Sequence, residues 1–176
     1  MGQRELLTLM SAIMALMALG IDTMLPAFDE IRETFDLGDA SPRAGQVITV
    51  FFLGLAVAQL VWGPVADRFG RKPVLYAGSA IYIAGAVGSA LAPTFELLLL
   101  SRFIWGIGAA GARVVATAII RDRFEGSEMA KAMSQVMAVF MLVPILAPSI
   151  GAGIIALLPW RSIFWLLAGI ATVLAI

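Results

Sequence analysis

Long apolar runs, each about the length of a bilayer-crossing helix, alternate along this chain with short polar separators. A bilayer core takes about 20 apolar residues per helix. Six stretches approach that length: Leu6–Pro26, Ala44–Val65, Val74–Ala92, Leu97–Ile120, Met133–Leu158 and a last one from Arg161 to Ile176. Between them lie 28-FDEIRETFDLGDASPR-43, 63-GPVADRFGRKPVL-75, 92-APTFE-96, 121-RDRFEGSEMAK-131 and 159-PWR-161. The pattern predicts an all-α integral membrane protein, a bundle of six transmembrane helices forming one domain over residues 1–176. No low-complexity linker interrupts it, so no soluble domain is expected.

A longer period is superimposed on this one. A shift of 89 residues carries Arg32 onto Arg121, Phe35 onto Phe124, Gln46 onto Gln135, Val47 onto Val136 and Phe51 onto Phe140. Chance matches among apolar residues could produce part of this; Arg, Phe and Gln recurring in register are harder to obtain that way. The shift pairs the second span with the fifth. An offset of three helices inverts the topology, and 3+3 inverted repeats are a building plan of secondary transporters. The repeat places the end of the sixth helix beyond Ile176. The expectation is therefore a truncated sixth helix, in a chain that is a fragment of a longer one or a natural half-protein.

Composition agrees with the membrane reading. The chain is 61% hydrophobic and 14% charged, with mean hydropathy +0.96, whereas soluble domains carry about 25% charged residues. Formal net charge is zero, which gives no reason to expect nucleic acid. There is no Cys and no His, which removes disulfides, thiol catalysis and the usual zinc sites and histidine as a proton carrier. No nucleophile–base set, metal cluster or phosphate loop is visible, so no enzyme, cofactor or metal site is expected. Lys and Arg in short loops set orientation. Arg4, Arg68, Arg71, Lys72, Arg121, Arg123 and Lys131 fall on one side, and Arg32, Arg43 and Arg161 on the other, which also holds Asp29, Glu30, Glu33, Asp36 and Asp39. The N-terminus is expected in the cytoplasm of a multi-pass plasma-membrane protein.

Polar residues inside the spans carry the candidate chemistry. Asp22 lies late in the first span, four residues before Pro26. A carboxylate within a span faces a partner or a wet cavity, and burial can raise its pKa towards neutrality. It reads as a group on a substrate or proton pathway, or as an interfacial carboxylate beside a proline break. Arg102 and Arg113 are eleven residues apart in the fourth span, three turns plus about 20°, so they share a stripe with Gly106 between them. Small residues there leave room beside two permanent charges; snorkelling to the interface is the competing reading. Depth in the two spans puts Asp22 and Arg102 level, and an ion pair or a water-bridged contact between them is expected. Pro144, Pro148 and Gly151 punctuate the fifth span and suggest a bend with close helix packing, although such residues are common in membrane helices. Asp67 and Arg71 are spaced to pair on one helix side.

Gly63, Asp67, Arg68, Gly70, Arg71 and Lys72 match a G-x-x-x-D-R-x-G-R-[KR] signature at fixed spacing, in a loop that the charge count independently places inside. On that motif the chain resembles the major facilitator superfamily and, within it, the Bcr/CflA-type drug-resistance antiporters. Asp22 and Pro26 are similar to that family's D-x-x-x-P signature, and Arg102, Gly106 and Gly108 to its R-x-x-x-G-x-G. Ala147 to Ala152 resembles G-P-x-x-G-G with Ala for the first and last Gly, and Trp160-Arg161 before Ile163-Phe164 is typical of the subfamily. The resemblance covers the N-terminal half of a twelve-helix transporter. It implies a proton-coupled efflux protein of the bacterial inner membrane, moving small amphipathic compounds by alternating access. It also implies a latch in which Asp67, Arg71 and Asp122 close the inner side. The partners would be lipid, a small-molecule substrate, and either the missing C-terminal six-helix half or a second copy. A half-transporter working as an oligomer and a non-transporting membrane or assembly protein are the alternatives.

Overall fold

The computed structural model of the protein describes residues 2–38 and 41–175. These form α1 (Gln3–Asp22), α2 (Phe28–Thr34), α3 (Gln46–Phe69), α4 (Arg71–Leu91), α5 (Phe95–Arg123), α6 (Gly126–Ile155) and α7 (Arg161–Ala175), with 3-10 turns at Leu25–Ala27 and Pro42–Gly45. Five segments are long and apolar enough to cross a membrane: Gln3–Thr34, Pro42–Phe69, Arg71–Leu91, Phe95–Arg123 and Gly126–Ile155. The helix α7 is apolar but only 15 residues long. Helices are the form expected here, because a chain in hydrocarbon must satisfy its backbone polar groups internally.

The helices α1, α4, α5 and α6 begin before their apolar stretches, and α3 and α5 end beyond theirs, whereas α4 and α6 stop short, at Leu91 and Ile155. Polar residues at a helix end can continue the helix once it leaves hydrocarbon, so composition marks the bilayer rather than the helix terminus. The motif expected as a loop over 63–75 is the end of α3 and the start of α4, separated by one residue. Gly70 has φ +90°, a region open to glycine at little steric cost, and it reverses the chain without a loop. The separator 121–131 is likewise mostly helical, taken up by α5 and α6. The first separator holds α2, anchored by fully buried Ala27 and Ile31.

Pro26 breaks the first span. It has no N–H for the Asp22 carbonyl four residues earlier, and its ring crowds that carbonyl. α1 therefore stops at Asp22, and the chain turns at Thr23 and Met24 into the 3-10 turn.

The helix α5 is the hub, packed between α3 and α4, while α1 packs mainly on α6, and α7 on α4. Small residues permit these approaches, as is usual between membrane helices. A Cβ on Gly106 would strike the Phe51 carbonyl of α3, and one on Gly108 the Tyr82 backbone of α4. Trp105 fills the centre, edge-to-face with Phe51, Tyr82 and Phe164 at centroid distances of 6.2, 5.3 and 5.5 Å. The Tyr82 hydroxyl donates to the Leu16 carbonyl oxygen at 2.9 Å, tying α4 to α1.

The repeat is visible in the architecture. The 89-residue shift carries Thr34, the end of α2, onto Arg123, the end of α5, and Arg71, the start of α4, onto the residue before α7. The α1–α2 unit, α3 and α4 thus correspond to α5, α6 and α7. The two ends of the bundle are called below the Arg71 end and the Trp160 end.

Candidate functional site

Arg71 opens α4 and reaches in two directions. Its Nη1 donates to Asp67 Oδ1 at 2.8 Å, one turn back across Gly70, and its Nε donates to Asp122 Oδ2 at 3.2 Å, at the end of α5. One planar guanidinium with several fixed donors suits two carboxylates at once. The network therefore joins the α3–α4 reversal to the first helix of the second repeat, with the three residues expected. Both carboxylates are largely exposed, so the contact is held in high dielectric and is readily broken. Arg68 lies over the ring of Phe69 at 5.3 Å, and Lys72 is exposed.

Behind this network lies an open groove of about 490 Å³ between α3 and α5, lined by Gln59, Gly63, Arg113, Val114, Thr117 and Arg121 together with the three network residues. Arg113 is half-buried in its wall. Gly63 faces it with no heavy atom within 4 Å of where a Cβ would stand. The groove is cationic in its depth and mixed in charge at its mouth, an arrangement that can hold a polar or anionic group away from hydrocarbon.

Arg102 and Gly106 occupy a different setting from the one expected. Arg102 is fully buried. Its Nη2 donates to the Gly20 carbonyl oxygen at 2.9 Å and its Nε to that of Val47 at 3.3 Å. Its guanidinium carbon lies 4.6 Å from the Trp105 ring centroid and 4.8 Å from that of Phe51, within cation–π range. The expected ion pair with Asp22 is not formed among the described residues; Asp22 is partly exposed at the α1 break. The guanidinium instead takes the carbonyl of Gly20, which lies in the last turn of α1, where carbonyls lack intrahelical donors. The room expected beside Gly106 is filled by the α3 backbone. In this structure Arg102 is a joint between α1, α3 and α5, and Arg113 alone of the pair faces an opening.

In α6, Pro144 is exposed and Pro148 half-buried within one continuous helix. Gly151 is the close-packing position: a Cβ there would strike the Thr23 carbonyl and meet Pro26 at 3.4 Å, so α6 is fitted against the α1 break.

Sequence reasoning missed the structure at the Trp160 end. The Trp160 backbone N–H donates to Glu30 Oε2 at 3.3 Å and its Nε1 to Thr34 Oγ1 at 3.1 Å. Arg161 donates to the Ala92 carbonyl oxygen at 2.8 Å and lies over the Trp160 ring at 4.5 Å. Glu30 and Thr34 were hidden in a stretch read as an acidic loop. Their i,i+4 spacing, together with the 89-residue shift, is the signal that could have found them.

Comparison with known proteins follows the same lines. Residues 9–176 match the Major Facilitator Superfamily. Multidrug resistance protein MdtL of Escherichia coli (strain K12 / DH10B) is 38% identical over 165 residues, which is 93% of this chain and 42% of that protein. MdtL of Shigella boydii serotype 18 (strain CDC 3083-94 / BS512) gives the same figures. The chain spans about two fifths of the length of the curated relatives it matches.

Proposed function

From the premise that this chain belongs to the Major Facilitator Superfamily, we propose that it forms the N-terminal six-helix half of a proton-coupled secondary transporter. That transporter exports small amphipathic compounds by alternating access. The observation that carries the reading is the Arg71 network. A conformational switch needs a contact specific enough to define one state and weak enough to release, and a solvent-exposed guanidinium shared by Asp67 and Asp122 meets both conditions. The relatives named as multidrug resistance proteins support the efflux direction and the substrate class.

The N-terminus and the Arg71 end face the cytoplasm of a bacterial inner membrane, supported by seven cationic side chains on that side against three on the other. Asp22 is the proton-carrying group: it is the carboxylate closing the first span, at a break where the helix can move. Arg113 contacts the polar part of the substrate from the groove. The partner is a second six-helix unit. Only 11% of the apolar window of α6 is buried within the chain, against 50% for α5, which leaves α6 a face for such a unit.

The test is uptake of an amphipathic fluorescent dye bearing a polar or anionic group into proteoliposomes under an imposed pH gradient. It is measured with the chain alone and with the protein extended to the full length of its relatives. Gradient-driven movement by the extended protein, reduced by Asp22→Asn, is the expected result. Movement indifferent to the gradient, or unaffected by Asp22→Asn, overturns the reading.

A further inference from the structure

We infer that Trp160 is a second latch, related to Arg71 by the internal repeat and placed at the opposite end of the bundle. The 89-residue shift that carries Arg32 onto Arg121 carries Arg71 onto Trp160, and it carries Glu33, next to Thr34, onto Asp122. The contacts follow the same exchange. At the Arg71 end, the residue opening α4 holds the end of α5, so the turn between the second and third helices of one repeat is fixed to the first helix of the other. At the Trp160 end, the residue before α7 holds α2 through Glu30 and Thr34. That is again a turn between second and third helices, fixed to the closing segment of the other repeat's first span. The residues that hold, Arg71 and Trp160, are equivalent, and the residue held by the indole, Thr34, lies one position from the equivalent of Asp122; two unrelated surface contacts would have no reason to fall so close.

The two latches differ in chemistry. The Arg71 latch is ionic and exposed. The Trp160 latch is set in an aromatic box: the Trp160 ring is buried, stands edge-to-face to Phe35 at 6.0 Å and to Phe164 at 5.5 Å, and is capped by Arg161. Salt at about 1 M cuts the Debye length to about 3 Å and screens exposed charge pairs far more than buried contacts. The Arg71 latch is therefore salt-labile and the Trp160 latch salt-resistant. Trp160 acts as a positioning residue that holds its end of the bundle together whichever way the Arg71 end stands. The inference rests on packing and not on what is transported, so a failed transport assay leaves it intact.

The chain has no cysteine, which permits clean spin-label pairs in lipid bilayers. Glu33→Cys with Leu157→Cys spans the Trp160 latch, and Phe69→Cys with Arg123→Cys spans the Arg71 latch; all four positions are exposed. In Trp160→Leu, the 33–157 pair is expected to lose its single narrow distance while the 69–123 pair keeps its own. Arg71→Gln and high salt are expected to do the reverse. Thr34→Val, which removes the acceptor of the indole N–H and the hydroxyl's own bond to the Glu30 carbonyl oxygen within α2, gives the same loss in milder form and decides the matter alone if Trp160→Leu does not fold. An unchanged 33–157 distance in Thr34→Val overturns the inference, as does equal broadening of both pairs in every variant.

Discussion

Arg102 donates to the carbonyl oxygen of Gly20 at 2.9 Å, two residues short of the carboxylate that depth in the membrane had assigned to it. The guanidinium thus supports the α1 break through its backbone and leaves Asp22 unpaired. Leaving a buried acceptor without its donor costs about 1–3 kcal/mol. Arg102→Met therefore lowers the thermal unfolding temperature in detergent substantially, because the Gly20 carbonyl loses its donor and the Val47 carbonyl keeps only its partner within α3. Asp22→Asn leaves it nearly unchanged. A large stability loss in Asp22→Asn would contradict the arrangement.

Glycines in this fold divide by what surrounds them. Gly106→Ala and Gly151→Ala each force a methyl group into a neighbouring backbone, and overpacking of this kind typically costs about 1–3 kcal/mol. Gly63→Ala meets nothing within 4 Å, and an alanine within a helix is favoured over glycine by roughly 0.5–1 kcal/mol. Thermal unfolding of the three variants should place Gly63→Ala at or above the native protein and the other two well below it.

Tyr82 connects α4 to α1 through one hydroxyl. Tyr82→Phe keeps the ring against Trp105 and removes only that hydrogen bond, at about 0.5–1.5 kcal/mol. Hydrogen exchange should show faster opening in the turn of α1 around Leu16 while α5 keeps its protection. Uniform acceleration across the bundle would count against so local a role.

Much of the architecture was legible because hydrocarbon imposes one rule on every span. The six apolar stretches, the order of the helices and the 89-residue repeat all appear in the structure, the spacing of Asp67 and Arg71 led to the contact they make, and the family resemblance added Asp122 to it. Apolar runs give depth, however, and not direction. Arg102 and Asp22 lie near the same level, yet which group the guanidinium meets depends on helix rotation and on the α1 break that Pro26 creates. The role of Gly106 was misread for a related reason: a small residue leaves space only if no neighbouring helix takes it, and α3 does. α2 went unseen because most of its residues are polar, and Ile31, its buried side chain, is by itself too little to give a period. Trp160 stood out as a residue, but its partners lay in that same unseen segment.

The central claim is that the Arg71 network defines one of two states of a transporter. Val114 lines the groove behind it, so the rate at which a maleimide modifies Val114→Cys reports whether that end is open. The measurement is made in liposomes, with the protein extended to the full length of its relatives, with and without an imposed pH gradient. The account predicts that the gradient shifts the rate and that Arg71→Gln holds the groove in its fast-reacting state under both conditions. A single rate, unmoved by the gradient and by Arg71→Gln, would contradict it.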